Sequence, residues 1–205
     1  MHVYEAKELA LNGVRSHPWR TAAYNQACRY YDFKLEPELI PNVLEDFMPW
    51  ANYQAVQDFY AYLAWLSGPN SELESNDCAF GGVTPNKSPN ITPSKFQASG
   101  RLIILFRSLL ANCEEQSTEW LFRCFWFYLE RIETDFQLGV IGLAKAATEF
   151  LDLNRRKGMS LVFNFWSWGD TEIEVMSNLQ RVVAALKRAS VEVCTDIRSA
   201  NNRPL

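Results

Sequence analysis

Apolar side chains recur at helical spacing in several parts of this chain, and that periodicity predicts a mostly α-helical fold. In residues 53–63 the large apolar side chains share one helical face and the polar ones the other. Residues 102–110 place leucine and phenylalanine at i, i+3, i+4, i+7 and i+8, a spacing that favours a helix over a strand. The same spacing in residues 136–151 predicts a further helix. Capping-box patterns that begin at Ser94 and Thr134 agree with helix starts before these last two segments.

The C-terminal half of the sequence adds two more helices and a minor sheet. Residues 120–132 are apolar on nearly every side, which predicts a central buried helix. A third capping box, Thr171-x-x-Glu174, predicts the start of another helix. Apolar residues alternate in 160–168 and again in 191–197, so a two-stranded element is expected near the C-terminus.

The fold class that follows is mainly α, a single-domain bundle of six or seven helices with that minor two-stranded element. One globular domain over residues 1–205 agrees with the chain length, and residues 3–12 are expected to form a short first helix. Residues 70–93 are rich in Gly, Pro, Asn and Ser, which predicts a long loop of the kind that is usually functional or disordered. Residues 198–205 are expected to fray.

Composition points to a protein of the cytoplasm. The five cysteines are an odd number without C-x-x-C spacing, which is typical of free thiols in a reducing compartment. The first residues lack the basic and apolar regions of a secretory signal. The most apolar run is far too short to span a membrane, so no membrane association is expected.

Charge is distributed unevenly along the chain. Residues 32–77 contain nine acidic residues and a single lysine, which gives this segment a net charge of −8. The whole chain has a net charge of −4. Summed like charges steer oppositely charged partners, so a basic protein partner is predicted. The residues expected to form this surface, with one aromatic anchor, are Glu36, Glu38, Glu45, Asp46, Trp50, Asp58, Glu72, Glu74 and Asp77.

Other function classes find less support in the residues. The basic clusters are short and lack interleaved aromatics, and a pI near 5.3 argues against nucleic-acid binding. Two isolated histidines, His2 and His17, cannot build a typical zinc site, so no metal is expected. The glycine spacing fits no nucleotide motif, so no cofactor is expected.

Two alternatives stay open. The first is an enzyme with a pocket at the 70–93 loop that uses Asp77 and Cys78, with His17 as a possible third group. An exposed Cys78 near His17 would favour it, and a buried Cys78 would argue against it. The second is a small-molecule binder with an aromatic cavity among Trp120, Trp126 and Phe165.

The function expected first is that of a small cytoplasmic protein-binding protein. Its most specific version is an inhibitor or immunity-type partner of a basic protein, such as a bacterial toxin. This hypothesis depends on the acidic side chains sharing one exposed surface, because only a common patch would raise the local potential.

Overall fold

The computed structural model describes residues 1–6, 14–18 and 49–201, and the statements that follow concern these residues. They form one six-stranded mixed sheet and three α-helices. The fold class is therefore α/β, and the predictions of an all-α protein and of a bundle of six or seven helices were wrong. The strands are β1 (His2–Glu5), β2 (Arg15–His17), β3 (Leu73–Pro85), β4 (Phe96–Phe106), β5 (Gly139–Phe150) and β6 (Arg156–Gly169). The helices are α1 (Gln54–Ser67), α2 (Glu115–Leu129) and α3 (Glu172–Asn201).

The strands follow the spatial order β1-β5-β6-β4-β3, and β2 also pairs with β5. The pairs β3–β4, β4–β6 and β5–β6 are antiparallel. Both N-terminal strands run parallel to β5, with β1 along its first residues and β2 along its last. Within the described residues, β3 therefore forms one edge of the sheet and β1 and β2 form the other.

The helix predicted over residues 102–110 is wrong, because most of this segment is the end of β4. Leu102, Ile103, Ile104 and Leu105 are all fully buried, since both faces of the strand are covered. Leu102 and Ile104 pack in the main core with the helices, whereas Ile103 packs in a smaller cluster on the other face. A strand buried on both faces loses the alternation that identifies strands in a sequence.

The helix predicted over residues 136–151 is also wrong, because residues 139–150 form β5. Leu143 faces the helices, and Ala144 lies in the smaller cluster on the opposite face. The capping-box pattern at Thr134 lies in a turn. At the N-terminus, residues 2–5 form β1 rather than a helix, and residues 7–13 lie outside the described part of the chain.

Several predicted elements are confirmed. Residues 53–63 fall mostly within α1, residues 120–132 mostly within α2, and residues 160–168 within β6. The start of α3 is capped as expected, because the Glu174 backbone N–H donates to Thr171 Oγ1 at 3.2 Å. The Glu174 carboxylate in turn accepts from the backbone N–H of Asp170 at 2.8 Å.

The strand predicted over residues 191–197 is wrong, because α3 continues through it to Asn201. Residues 198–201 are therefore helical rather than frayed, and residues 202–205 lie outside the described part. The predicted loop over residues 70–93 is largely a strand, since β3 occupies residues 73–85. None of the described helices is both long and apolar enough to cross a lipid bilayer.

Aromatic contacts join the helices to the sheet. The Phe125 ring of α2 meets the Phe163 ring of β6 edge-on, with 4.8 Å between centroids. Phe59 of α1 packs against Phe165 of β6 at 5.9 Å. Between α1 and α3, the buried hydroxyl groups of Tyr62 and Ser190 share a hydrogen bond of 2.5 Å. These contacts place the main core between one face of the sheet and the three helices.

Replacing Phe125 by alanine tests this assignment of the core. We expect Phe125→Ala to lower the free energy of unfolding by about 3–5 kcal/mol, because it removes a fully buried ring. Phe127→Ala, two positions along the same helix, is the matched control and should cost less than about 1 kcal/mol, because that ring is exposed. Urea denaturation measures both, and equal losses would contradict the orientation of α2.

Candidate functional site

The two edges of the sheet meet through their side chains. His17 Nδ1 of β2 lies 2.9 Å from Asn76 Oδ1 of β3, and Asn76 Nδ2 donates to the Ser16 carbonyl at 3.1 Å. Three strands separate β2 from β3, a gap of about 19 Å in a flat sheet. The sheet must therefore curl until its two edges meet. The side chains that join the edges lie on the face opposite the helices, which is the concave face of the curled sheet.

A β-bulge in β3 supplies the polar groups for this contact. The strand register shifts between Ser75 and Asp77, so Asn76 is an extra residue in the ladder. Glu74 pairs with Leu105 and Asp77 with Ile103, which puts both carboxylates on the concave face. Without the bulge, Asp77 would point toward the helices instead.

A second set of contacts reinforces the first. Asp77 Oδ2 accepts from Arg15 Nη1 at 3.1 Å and from Arg101 Nη2 at 2.8 Å. Burial lowers the pKa of the Arg15 guanidinium, and the Asp77 carboxylate opposes that effect. His17 Nε2 also lies 2.9 Å from Glu74 Oε1, and both side chains are almost fully buried. The six residues Arg15, His17, Glu74, Asn76, Asp77 and Arg101 are called the edge cluster below.

The described members of the predicted acidic surface do not form a common free patch. Glu74 and Asp77 belong to the edge cluster, and Glu72 pairs with Arg198 at 3.2 Å. Asp58 accepts hydrogen bonds from Gln54 and Gln180, each at 2.8 Å. Trp50 packs at the margin of the main core, against Gly82. The remaining predicted members, Glu36, Glu38, Glu45 and Asp46, lie outside the described residues.

The three groups of the alternative enzyme site are not brought together. His17 and Asp77 share the concave face, but Cys78 points to the other face and packs against the main core. Burial raises the pKa of the Cys78 thiol to about 12, and the Asp77 carboxylate adds to this effect. A thiol with such a pKa is a poor nucleophile near neutral pH.

The aromatic residues of the proposed cavity also lie apart. Phe165 is fully buried and packs against Phe59 and Gly100. Trp120 stacks on Phe106 at 6.3 Å, and Trp126 stacks on Phe122 at 6.1 Å. The three rings therefore contact different neighbours in the described structure and do not line one cavity together.

A surface that sequence reasoning missed lies on α2. Its core side carries Leu121, Phe125 and Leu129. Trp120 and Phe127 are seven positions apart and thus on one line of the helix, with exposed fractions of 37% and 49%. The Arg131 guanidinium lies 3.6 Å above the Phe127 ring. We call Trp120, Phe127 and Arg131 the outward stripe.

Charged side chains lie around α2. Lys145 Nζ and Arg123 Nε each donate to the Glu119 carboxylate at 2.7 Å. These two hydrogen bonds lower the pKa of Glu119. Glu130 is exposed nearby, and the Asp196 carboxylate accepts from the Tyr128 hydroxyl of α2 at 2.8 Å. Cations and carboxylates therefore both lie around this helix. The signal was in the sequence, since an all-round apolar helix with arginines interspersed also fits a half-exposed interface helix.

Among the described residues, no group of three or more His, Cys, Asp or Glu side chains could hold a metal ion. No protein-family model, no curated protein sequence and no solved structure matches this chain. The function must therefore be inferred from the surfaces of the molecule itself.

Removing the carboxylate of Asp77 tests the edge cluster. We expect Asp77→Ala to lower the free energy of unfolding by about 1–3 kcal/mol, because two partly buried arginines lose a charged acceptor. Glu149→Ala breaks a pair with the largely exposed Arg155 and should cost clearly less, because solvent screens that pair. Denaturant titration of both variants measures the difference, and an equal cost would argue against a structural role for Asp77.

Alkylation rates test the burial of Cys78. Burial raises the pKa of the Cys78 thiol to about 12, so iodoacetamide should label Cys78 much more slowly in the native protein than after unfolding. Cys113, whose side chain is half-buried like that of Cys78, serves as the internal comparison. Peptide mass spectrometry follows both sites in native buffer and in guanidinium chloride. Equal native labelling would show that Cys78 is accessible after all.

Proposed function

We propose that this chain is a protein-binding protein whose contact surface includes the outward stripe of α2. The observation that carries the proposal is the pair of large aromatic side chains, Trp120 and Phe127, exposed on one line of a helix whose other side is core. Aromatic residues and arginine are the side chains most enriched at protein interfaces.

The contacts that these two rings make within the fold leave much of their surface exposed. Leu121, Phe125 and Leu129 anchor α2 on the sheet, and Trp120 adds a stack on Phe106 while keeping an exposed fraction of 37%. Phe127 contacts the Tyr128 ring edge-on at 5.2 Å and the Arg131 guanidinium at 3.6 Å. An arginine stacked on a ring can still donate its remaining N–H groups to a partner.

The arginine in the stripe favours a partner with a carboxylate beside its apolar contact surface. Arg131 lies over the Phe127 ring, whereas Arg123 and Lys145 pair with Glu119 of α2. Complementary charge at the rim of an interface speeds association. The earlier hypothesis of a basic partner, including the inhibitor or immunity-type version, stays a prediction. It would depend on acidic residues outside the described part of the chain.

Affinity capture from the cells that produce the protein tests this proposal. Tagged wild type is compared with Trp120→Ala and Phe127→Ala, and captured proteins are quantified by mass spectrometry. A partner that contacts the stripe should be lost at least about tenfold in each variant, since each ring is expected to contribute more than about 1.4 kcal/mol to binding.

Ile173→Ala is the matched control, because Ile173 is an exposed apolar residue on another helix. It should leave the same partner in place, and all three variants should keep the thermal stability of the wild type within a few degrees. A captured set that does not change in the two α2 variants would rule out the stripe as the contact surface.

A further inference from the structure

The turn between β3 and β4 ends in an exposed apolar side chain. Residues 86–95, called the hairpin tip here, join Pro85 to Phe96. Ile91 lies within this turn with an exposed fraction of 70%. An isoleucine in that position adds little to the stability of the fold, because most of its surface stays in water.

Hydrogen bonds hold the hairpin tip in one conformation. The Asn86 side chain donates to the carbonyls of Thr92 at 2.9 Å and Ser94 at 2.8 Å. Its oxygen accepts from the backbone N–H of Ser88 at 2.8 Å. The Ile91 backbone N–H donates to the Ser88 carbonyl at 2.9 Å. One side chain thus ties both limbs of the turn together around Ile91.

Neighbouring elements fix the base of the hairpin tip. The Lys87 backbone N–H donates to Gln97 Oε1 at 3.0 Å, and the Lys95 backbone N–H donates to Asp170 Oδ1 at 3.1 Å. Pro89 and Pro93 restrict the backbone further. A loop that is ordered before binding loses little conformational entropy on binding, so its contacts count more fully toward affinity.

The hairpin tip is also positively charged. No acidic residue occurs from 86 to 100, and the side chains of Lys87 and Lys95 form no ion pair with any described residue. Among the described residues, the Asp170 carboxylate contacts the hairpin tip through the Lys95 backbone N–H, at the base of the turn. Two lysines therefore flank an exposed isoleucine on a braced turn.

We propose that the hairpin tip is a preformed contact element that inserts Ile91 into an apolar pocket of another protein. The two lysines require that the rim of this pocket carry carboxylates. An apolar anchor in a pocket, surrounded by charge pairs at the rim, is the usual composition of an interface centre. A role in binding would account for the three side-chain hydrogen bonds by which Asn86 orders a surface loop.

The hairpin tip and the outward stripe are separate surfaces. The tip adjoins Phe96 at the start of β4, whereas Trp120 stacks on Phe106 at its end. Ten residues of strand span about 33 Å. The inference about the hairpin tip therefore stands whether or not the stripe binds a partner.

Site-specific photo-cross-linking in the producing cells tests this inference. A photoreactive phenylalanine replaces Asn90, an exposed neighbour of Ile91, and cross-linked peptides are mapped by mass spectrometry. The control carries the same probe at Glu192, an exposed position on α3. We expect one protein to be cross-linked from position 90 alone, at residues beside an apolar pocket with aspartate or glutamate at its rim.

Two further variants of the protein that carries the probe at position 90 separate the contribution of Ile91 from that of the two lysines. Ile91→Ala should lower the cross-link yield at least tenfold, and so should the double change Lys87→Glu with Lys95→Glu. The inference is overturned if the yield at position 90 does not exceed that at position 192, if Ile91→Ala leaves it unchanged, or if the mapped surface lacks carboxylates.

Calorimetry tests whether the ordered turn contributes to binding. The partner that cross-linking identifies is purified and titrated with this protein. Asn86→Ala removes the hydrogen bonds that brace the turn while keeping Ile91 and both lysines. It should weaken binding several-fold and make the binding entropy less favourable, with the thermal stability of the fold nearly unchanged. Binding equal to that of wild type would show that the bracing has no role in recognition.

Discussion

Contact between the two edges of the sheet sets the shape on which the rest of the structure depends. Because the edge cluster joins β2 to β3, the five-strand path bends and encloses its own concave face. Ile103 and Val162 are fully buried there, while the convex face is left to the three helices. The curl therefore buries the second half of β4 on both sides.

The same curl explains which elements a sequence can reveal. Helices α1, α2 and α3 and strand β6 follow from periodicity and capping, because each has its signal within a dozen neighbouring residues. Leu102 to Leu105 mislead, because burial on both faces replaces alternation with a continuous apolar run. In β5 the small side chains of Ala144 and Ala146 pack on the concave face of the sheet. Alanine is also the residue most favourable to helices, so these positions favoured the wrong prediction of a helix.

The contacts of the candidate site residues depend on long-range pairing for a related reason. Adjacent in sequence, Asp77 and Cys78 lie on opposite faces of one strand, and the bulge at Asn76 that aligns Asp77 with Glu74 has no local signature. Pairing of Glu72 with Arg198 joins residues 126 positions apart. Such pairings decide whether a carboxylate is free, and one sequence does not contain them. The exposure of Ile91 could have been predicted from the sequence, because a turn flanked by prolines is recognised from neighbouring residues alone.

The parallel pairing of the N-terminal strands has a consequence for synthesis of the chain. His2 pairs with Val140 and Arg15 with Thr148, so each partner is translated more than 130 residues later. At common translation rates of about 5–20 residues per second, that delay is on the order of ten seconds. During this delay, β5 has not yet been synthesised, so β1 and β2 have no strand to pair with. A chaperone that bound the N-terminal segment in that interval would compete directly with closure of the sheet.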